Sequence, residues 1–217
     1  MPEESNQSKF DNYSLDFNGT DEYILINPII KNFSTDNFTI SAWVNFTTLP
    51  SGTTEMKIYN ELGSSNRYIS LSTRGSQPTI LFRYGNQNNN YLYGTTTITT
   101  NRWYHVAVTY STTDGIKLYL DTNLENTASY LALARSAHSY ASTGAYFYAG
   151  SASNYLDGKI DHLAVFDYAL STDQINYLYN SGTPVNPMAI SGNAPIAYYP
   201  LGGSSTGDAG TSPSTLT

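Results

Sequence analysis

Hydrophobic and polar residues alternate along most of this chain. In FTISAWVNF, Phe38, Ile40, Ala42, Val44 and Phe46 fall on one side, and Thr39, Ser41, Trp43 and Asn45 on the other. A half-buried strand imposes this period of two, because successive side chains leave opposite faces. RWYHVAVTY repeats the pattern, with Tyr104, Val106, Val108 and Tyr110 opposed to Trp103, His105, Ala107 and Thr109. A turn ending in Asp114 and Gly115 comes next, then Ile116, Leu118 and Leu120 align, which predicts a hairpin. Further strands are predicted at 12–17, 22–27, 56–62, 67–73, 79–84, 145–150 and 159–166. One stretch has helical spacing, STDQINYLYNSG at 171–182. There Ser171 and Gln174 form a capping-box pattern, Asp173 sits at the positive end of the dipole, Ile175, Leu178 and Tyr179 share a face, and Gly182 supplies the stop. Many short strands between Gly, Asn, Ser and Pro turns, without crossover helices, predict an all-β, two-sheet antiparallel β-sandwich. The short helix near the C-terminus must dock on it, being too short to persist alone.

Composition narrows the function classes. A length of 217 residues suits one main domain, and 20 Tyr against 8 Phe means that much of the aromatic surface carries a hydroxyl in need of a partner. With 17 Asp plus Glu, 10 Lys plus Arg and a net charge of -7, nucleic acid is not an expected partner. The absence of cysteine excludes disulfides, thiolate chemistry and Cys-type zinc sites. No apolar stretch reaches membrane-spanning length, and the opening MPEESNQSKFDNYS lacks the apolar core of a secretory signal peptide, so no membrane insertion is expected. Asn-x-Ser/Thr matches at Asn6, Asn12, Asn18, Asn32, Asn37 and Asn45 read as products of an Asn- and Thr-rich composition. Residues 1–11 are expected to be a flexible N-terminal segment and 12–185 the sandwich. Residues 186–202, with IAYYPL as a strand candidate, form an extended segment or added edge strand, and 203–217 a linker-like tail.

Asp161, in the middle of a predicted strand, has three readings: a catalyst, a metal ligand, or an acceptor that orders a loop. Retaining glycoside hydrolysis needs two carboxyl groups about 5 to 5.5 Å apart. The acid of matching parity, Asp167, would lie about 20 Å away along an extended strand. His105, His138 and His162 form no triad or zinc motif, and His105 reads as a packed, hydrogen-bonded strand residue. Catalysis is therefore not expected. For sugar binding, RYGNQNNNYLYG offers Asn88, Asn89, Asn90 and Tyr91, and ARSAHSYASTGAYFY offers Tyr140 beside Tyr146 and Tyr148. Aromatic rings cover the apolar side of a pyranose, and amides fix its hydroxyls. The competing reading is a solvated hairpin tip. Trp43 and Trp103 are expected in packing.

The segments YSLDFNGTDEYILI, FTISAWVNF, NRWYHVAVTY with IKLYLD, and LDGKIDHLAVFDYALSTDQINYLY, in that order, resemble the laminin G-like jelly roll of the concanavalin A-like lectin and glucanase superfamily. One departure is Asp121–Thr122, where the family usually has Asp-Gly. The resemblance implies a jelly roll with a structural calcium ion held by Asp161, Asn18, the Gly19 carbonyl and Asp21. The bland alternative gives Asp161 backbone N–H groups to accept instead. The Glu-Ile-Asp-x-Glu pattern of the superfamily's glucanases is missing. What the resemblance implies is a non-catalytic, lectin-like module that binds a glycan or neighbouring structural proteins, at a virion surface or outside the cell. A purely structural capsid-decoration or fibre protein is the alternative, and a glycoside hydrolase a weaker one. Edge strands of such a sandwich are compatible with a homo-oligomer.

Overall fold

The computed structural model describes residues 14–63, 67–75, 78–86, 90–133, 138–201 and 214–216. Two antiparallel sheets pack face to face. With strands labelled in chain order, the first sheet runs β1 (Leu15–Asn18), β14 (Asp157–Phe166), β3 (Phe38–Phe46), β8 (Trp103–Ser111), β9 (Gly115–Leu120) and β10 (Asn123–Ala128); β15 (Ala197–Tyr199) also pairs with β14. The second runs β16 (Ser214–Leu216), β2 (Ile24–Ile26), β11 (His138–Thr143), β4 (Glu55–Gly63), β5 (Arg67–Arg74), β6 (Thr79–Asn86) and β7 (Asn90–Tyr93). A separate hairpin joins β12 (Tyr146–Tyr148) to β13 (Ser151–Ser153). The expected all-β jelly-roll sandwich is thus the observed one.

Alternation decides which residues make the core. Phe38, Ile40, Val44, Val106, Val108, Ile160 and Val165 of the first sheet face Ile58, Ile69, Leu71, Ile80 and Phe82 of the second, all fully buried. Each such side chain contributes roughly 1.5–3 kcal/mol relative to exposure. One carboxylate enters this core. Glu61 on β4 accepts backbone N–H groups of Ile29 (2.9 Å), Ile30 (3.0 Å) and Lys31 (2.9 Å) and the Tyr59 hydroxyl (2.7 Å), with His138 Nδ1 at 3.2 Å. A buried charge is tolerable when surrounded by donors, and here it pins the 3-10 turn at Ile30–Asn32 onto the sheet. Burial, followed by the charge of Glu61, holds the Tyr59 hydroxyl well above its usual pKa.

Helix α1 (Thr172–Tyr179) starts at the predicted capping box, with Ser171 and Gln174 each accepting from the other's backbone N–H. It ends earlier than expected. Asn180, at φ 41° and ψ 52°, takes the left-handed position two residues before Gly182. Asn tolerates that conformation, because a short polar side chain can satisfy nearby backbone. Ile175 and Leu178 pack with Ala107, Ala164, Phe166, Leu170 and Tyr198 on the outer face of the first sheet.

The Asp121–Thr122 departure forms a two-residue loop between β9 and β10, since Leu120 and Asn123 are paired. Both loop residues have positive φ, 47° and 73°. This is the twist that suits a tight hairpin, but glycine adopts it more readily than a β-branched residue. Asp121 compensates by accepting from Arg102 Nη2 at 2.9 Å and from the His105 N–H at 2.9 Å.

Strands β7, β10, β11, β13 and β16 are absent from the sequence-based expectation, β16 falling in the segment read as a linker-like tail. Their segments carry Asn, Ser, Thr and Tyr on both sides, so no apolar stripe marks them; pairing with neighbours extends them. Trp103, expected in packing, is 37% exposed at the start of β8.

Candidate functional site

Among the described residues, no helix covers the outer face of the second sheet. On β5, Ile69 and Leu71 enter the core, so the pleat turns Tyr68, Ser70, Ser72 and Arg74 outward. Register then builds rows across the sheet. Tyr91 on β7 pairs with Arg83 on β6, Arg83 with Ser70, Ser70 with Asn60 on β4, and Asn60 with Ser142 on β11. A neighbouring row runs Tyr93, Leu81, Ser72 and Lys57, and the row on the other side includes Tyr68, Leu62 and Tyr140.

Aromatic rings and guanidinium groups cover this face. The Arg83 guanidinium carbon lies 3.7 Å from the Tyr68 ring centroid and 5.5 Å from that of Tyr91, and Arg74 lies 5.6 Å from Tyr91. Tyr91 and Tyr93 stack at 5.8 Å, and Arg74 Nη1 donates to the Tyr93 hydroxyl at 2.8 Å. The β12–β13 hairpin brings a second group to the same face. Tyr148 meets Tyr140 at 5.2 Å, and Phe147 meets Tyr140 at 5.9 Å. Tyr146 is hydrogen-bonded to Tyr68, and burial, helped by that neighbour, pushes its hydroxyl up to about 12.

Beneath the rings lies a polar floor. Asn60 and Ser70 are fully buried, yet both side-chain amide atoms of Asn60 and the Ser70 hydroxyl have no hydrogen-bond partner. A buried polar atom left unpaired is destabilising by about 1–3 kcal/mol, and the condition recurs outside this row, at His105 Nδ1 on the outer face of the first sheet. Lys57 forms a buried ion pair with Glu55, which also accepts from Ser72 Oγ at 3.4 Å. Burial depresses the pKa of the Lys57 ammonium.

The expected sugar residues divide between the two sides of the sheet. Tyr91 and Tyr140 share this outer face, four strand steps apart, or about 19 Å. Asn90 pairs with Tyr84, whose ring belongs to the core, so alternation puts it on the opposite side from Tyr91. Asn88 and Asn89 lie outside the described residues. Sequence reasoning missed Tyr68, Arg74, Arg83, Asn60 and Ser70. The signal was present as the polar half of each alternating strand, but nothing along the chain says which polar halves become neighbours.

The four expected calcium ligands do not converge. Asn18 is paired with Asp157, four residues from Asp161 and about 13 Å away along β14. Calcium needs its oxygens at about 2.3–2.6 Å, so one ion cannot span that gap. The Asn18 side chain is engaged within its own loop, donating to Asp21 at 2.7 Å and accepting from the Thr20 and Asp21 N–H groups at 2.8 and 3.1 Å. The Gly19 N–H donates to the Leu156 carbonyl at 2.9 Å. Among the described residues, no three acidic or histidine side chains are grouped as a metal site.

Asp161 instead serves a bulge. Between Asp161, paired with Trp43, and Ala164, paired with Ser41, β14 carries an extra residue, and His162 adopts φ 50°. The carboxylate contacts His162 Nδ1 at 2.6 Å, which stabilises this unusual backbone locally. On the same outer face of the first sheet, His105 Nε2 contacts Ser41 Oγ at 2.8 Å, and Trp43 stacks on Tyr179 of α1 at 5.8 Å. Burial lowers the His105 pKa to about 3, so the imidazole there is neutral.

A comparison with curated protein sequences finds no match. Similar folds are found among solved structures. A heptameric SAP-like pentraxin from Limulus polyphemus shares 16% identity over 95% of this chain and 95% of that one, with a TM-score of 0.63. The CBM40 of the Ruminococcus gnavus IT-sialidase, bound to α2,3-sialyllactose, shares 13% over 77% and 96%, with 0.63. Domain 4 of a GH43 extracellular arabinanase from Geobacillus stearothermophilus, in complex with arabinotriose, shares 20% over 76% and 75%, with 0.61. At these identities the likeness establishes the fold. The family model described as the concanavalin A-like lectin/glucanases superfamily, of laminin G type, matches residues 18–176, and the chain belongs to that family.

Proposed function

We propose that this protein is a non-catalytic, lectin-like carbohydrate-binding module that engages sugar with the outer face of its second sheet. The observation that carries the reading is the presentation of Tyr91, Tyr93, Tyr140 and Tyr148 on one sheet face, on either side of the strands that bear Asn60 and Ser70. Stacking rings over a row of donors and acceptors suit an object with one apolar and one hydroxylated side, as a pyranose has. Two of the similar folds support the reading, having been solved with arabinotriose and with sialyllactose.

Hydrolysis is a poorer fit. Glu55, the acid placed on this face, is tied up in its ion pair with Lys57, Glu61 is enclosed in the core, and Glu125 accepts from the N–H and hydroxyl groups of Thr95 and Thr96 at 2.7–3.0 Å. None stands as one of two facing carboxyls. The module is proposed to work at a virion or other external surface, beside glycans or structural proteins. One similar fold is heptameric, which supports asking about oligomers.

A glycan array with the full chain, then titration calorimetry on the hits, tests the proposal. Binding that Tyr91→Ala weakens about tenfold or more, without a change in fold, is the expected result. A blank array from a chain that assembles into rings in native mass spectrometry would replace it with the purely structural reading.

A further inference from the structure

The cover that α1 gives the first sheet stops short of the sheet's end. Asp161, Trp43 and His105 pair across β14, β3 and β8, and Trp43 is stacked on Tyr179, the last residue of the helix. Two residues away along each strand, the same outer face carries Lys159, Asn45 and Trp103 in register, with Asp16 of β1 opposite Lys159. The chain's two tryptophans therefore sit in adjacent rows with different surroundings. Trp43 is 3% exposed, with the rings of His105 and Tyr179 against it. Trp103 is 37% exposed, and among the described residues its indole has neither a ring contact nor a hydrogen bond. The half-buried Asn45 amide likewise has no hydrogen-bond partner among them. Lys159 donates to Asp16, and these two side chains are 40% and 66% exposed.

We propose that this row is a second saccharide site, on the opposite face of the sandwich from the first, and that it takes a neutral oligosaccharide. The exposed indole offers apolar surface to the C–H side of a sugar ring. Its neighbour Asn45, about 5 Å away between Cβ atoms, offers both a donor and an acceptor to hydroxyls. The ammonium and carboxylate beyond add more of each. Three strand steps separate Asp16 from Trp103, about 14 Å, which is the reach of a short oligosaccharide and more than one sugar ring fills. Charge and apolar area select the occupant. The cation and anion of the row offset each other, so a charged ligand finds no net counter-charge, whereas hydroxyls both donate and accept. A protein partner would be anchored by an apolar cluster inside a polar rim, and Trp103 is the single apolar residue among these four. This site does not depend on the sugar binding proposed for the second sheet.

Iodide quenching of tryptophan emission isolates the site, because Trp43 is enclosed and Trp103 is the accessible fluorophore. The full chain is titrated with neutral trisaccharides: cellotriose, maltotriose, β1,4-galactotriose and arabinotriose. At least one is expected to shield Trp103 saturably. Asn45→Ala should raise the dissociation constant about fivefold, and Tyr91→Ala should leave it unchanged. Trp103→Ala, placed in the Tyr91→Ala background and followed by calorimetry, should weaken binding about tenfold or more. If that variant does not fold, as judged by circular dichroism, the two quenching titrations decide. No shielding by any member overturns the proposal, as does shielding that Asn45→Ala leaves as it was. Shielding that grows with protein concentration in the absence of sugar also overturns it, by marking a contact between copies. Shielding abolished by Tyr91→Ala returns the binding to the second sheet. Tyr91-dependent binding without shielding removes this site alone, and shielding without Tyr91-dependent binding removes the second-sheet site alone.

Discussion

The two outer faces of the sandwich have opposite fates. That of the first sheet is sealed by α1 and the chain beyond it, with Phe166, Ile175, Leu178 and Tyr198 forming a second apolar cluster. Its polar residues Ser41, His105 and Asp161 are enclosed, with His105 Nε2 contacting Ser41 and Asp161 contacting His162, while His105 Nδ1 is left without a hydrogen-bond partner. Among the described residues, the second sheet's outer face carries no helix, and its polar residues share that face with partly exposed rings. Alternating strands build both faces by the same rule, and the segment after β14 makes one of them a joint by docking there, leaving the other as a surface. On the proposed reading, titratable side chains on the sealed face bear on stability, and those on the open face on recognition.

Removing the seal should have the largest effect. Phe166→Ala empties a fully buried site under α1 and is expected to destabilise the fold by about 3–5 kcal/mol in urea unfolding, leaving sugar affinity unchanged in the folded fraction. A binding loss in folded protein would show that the two faces are coupled.

Acid should act through the sealed face next. His105 has a folded pKa of about 3 against an ordinary 6.5, so the unfolded chain binds more protons between these values. The stabilising contribution is present above about pH 6.5 and declines as pH falls toward 3, by at most about 1.4 kcal/mol per pH unit. His105→Gln should flatten the dependence of the urea midpoint on pH. An unchanged slope would mean that His105 titrates normally.

On the open face the signs reverse. Tyr91→Ala is expected to change stability by less than about 1 kcal/mol while weakening sugar binding about tenfold. A large stability loss with intact binding would assign Tyr91 to packing. The smallest change concerns the hairpin at the margin of the sealed sheet. Thr122→Gly relieves the positive φ of 73° and should stabilise by about 0.5–1 kcal/mol in the same unfolding assay.

The strands with an apolar stripe, β3, β8, β9 and β14, were legible because burial selects hydrophobic residues at every second position. The cap of α1 was legible because Ser171 and Gln174 satisfy orphan N–H groups at a fixed spacing. The polar strands were not, and neither was most of the site. Tyr91 and Tyr140 could be named from local aromatic clustering, but Arg83, Asn60 and Ser70 lie far apart in the chain and meet only through register. Asp161 shows the same limit from the other side. Its position in a strand was readable, whereas the bulge that pairs it with His162, and the four residues that separate it from Asn18's partner, arise from how β14 pairs with β3 and β1.

By itself, then, the order of apolar and polar residues determined an antiparallel sandwich with one docked helix, since those preferences act within a few residues of each other. Only the tertiary structure decided that α1 closes the first sheet and that tyrosines and arginines from four strands of the second assemble over a polar floor. Strand register and the choice of face are set by contacts between segments far apart in the chain, and no local pattern encodes them.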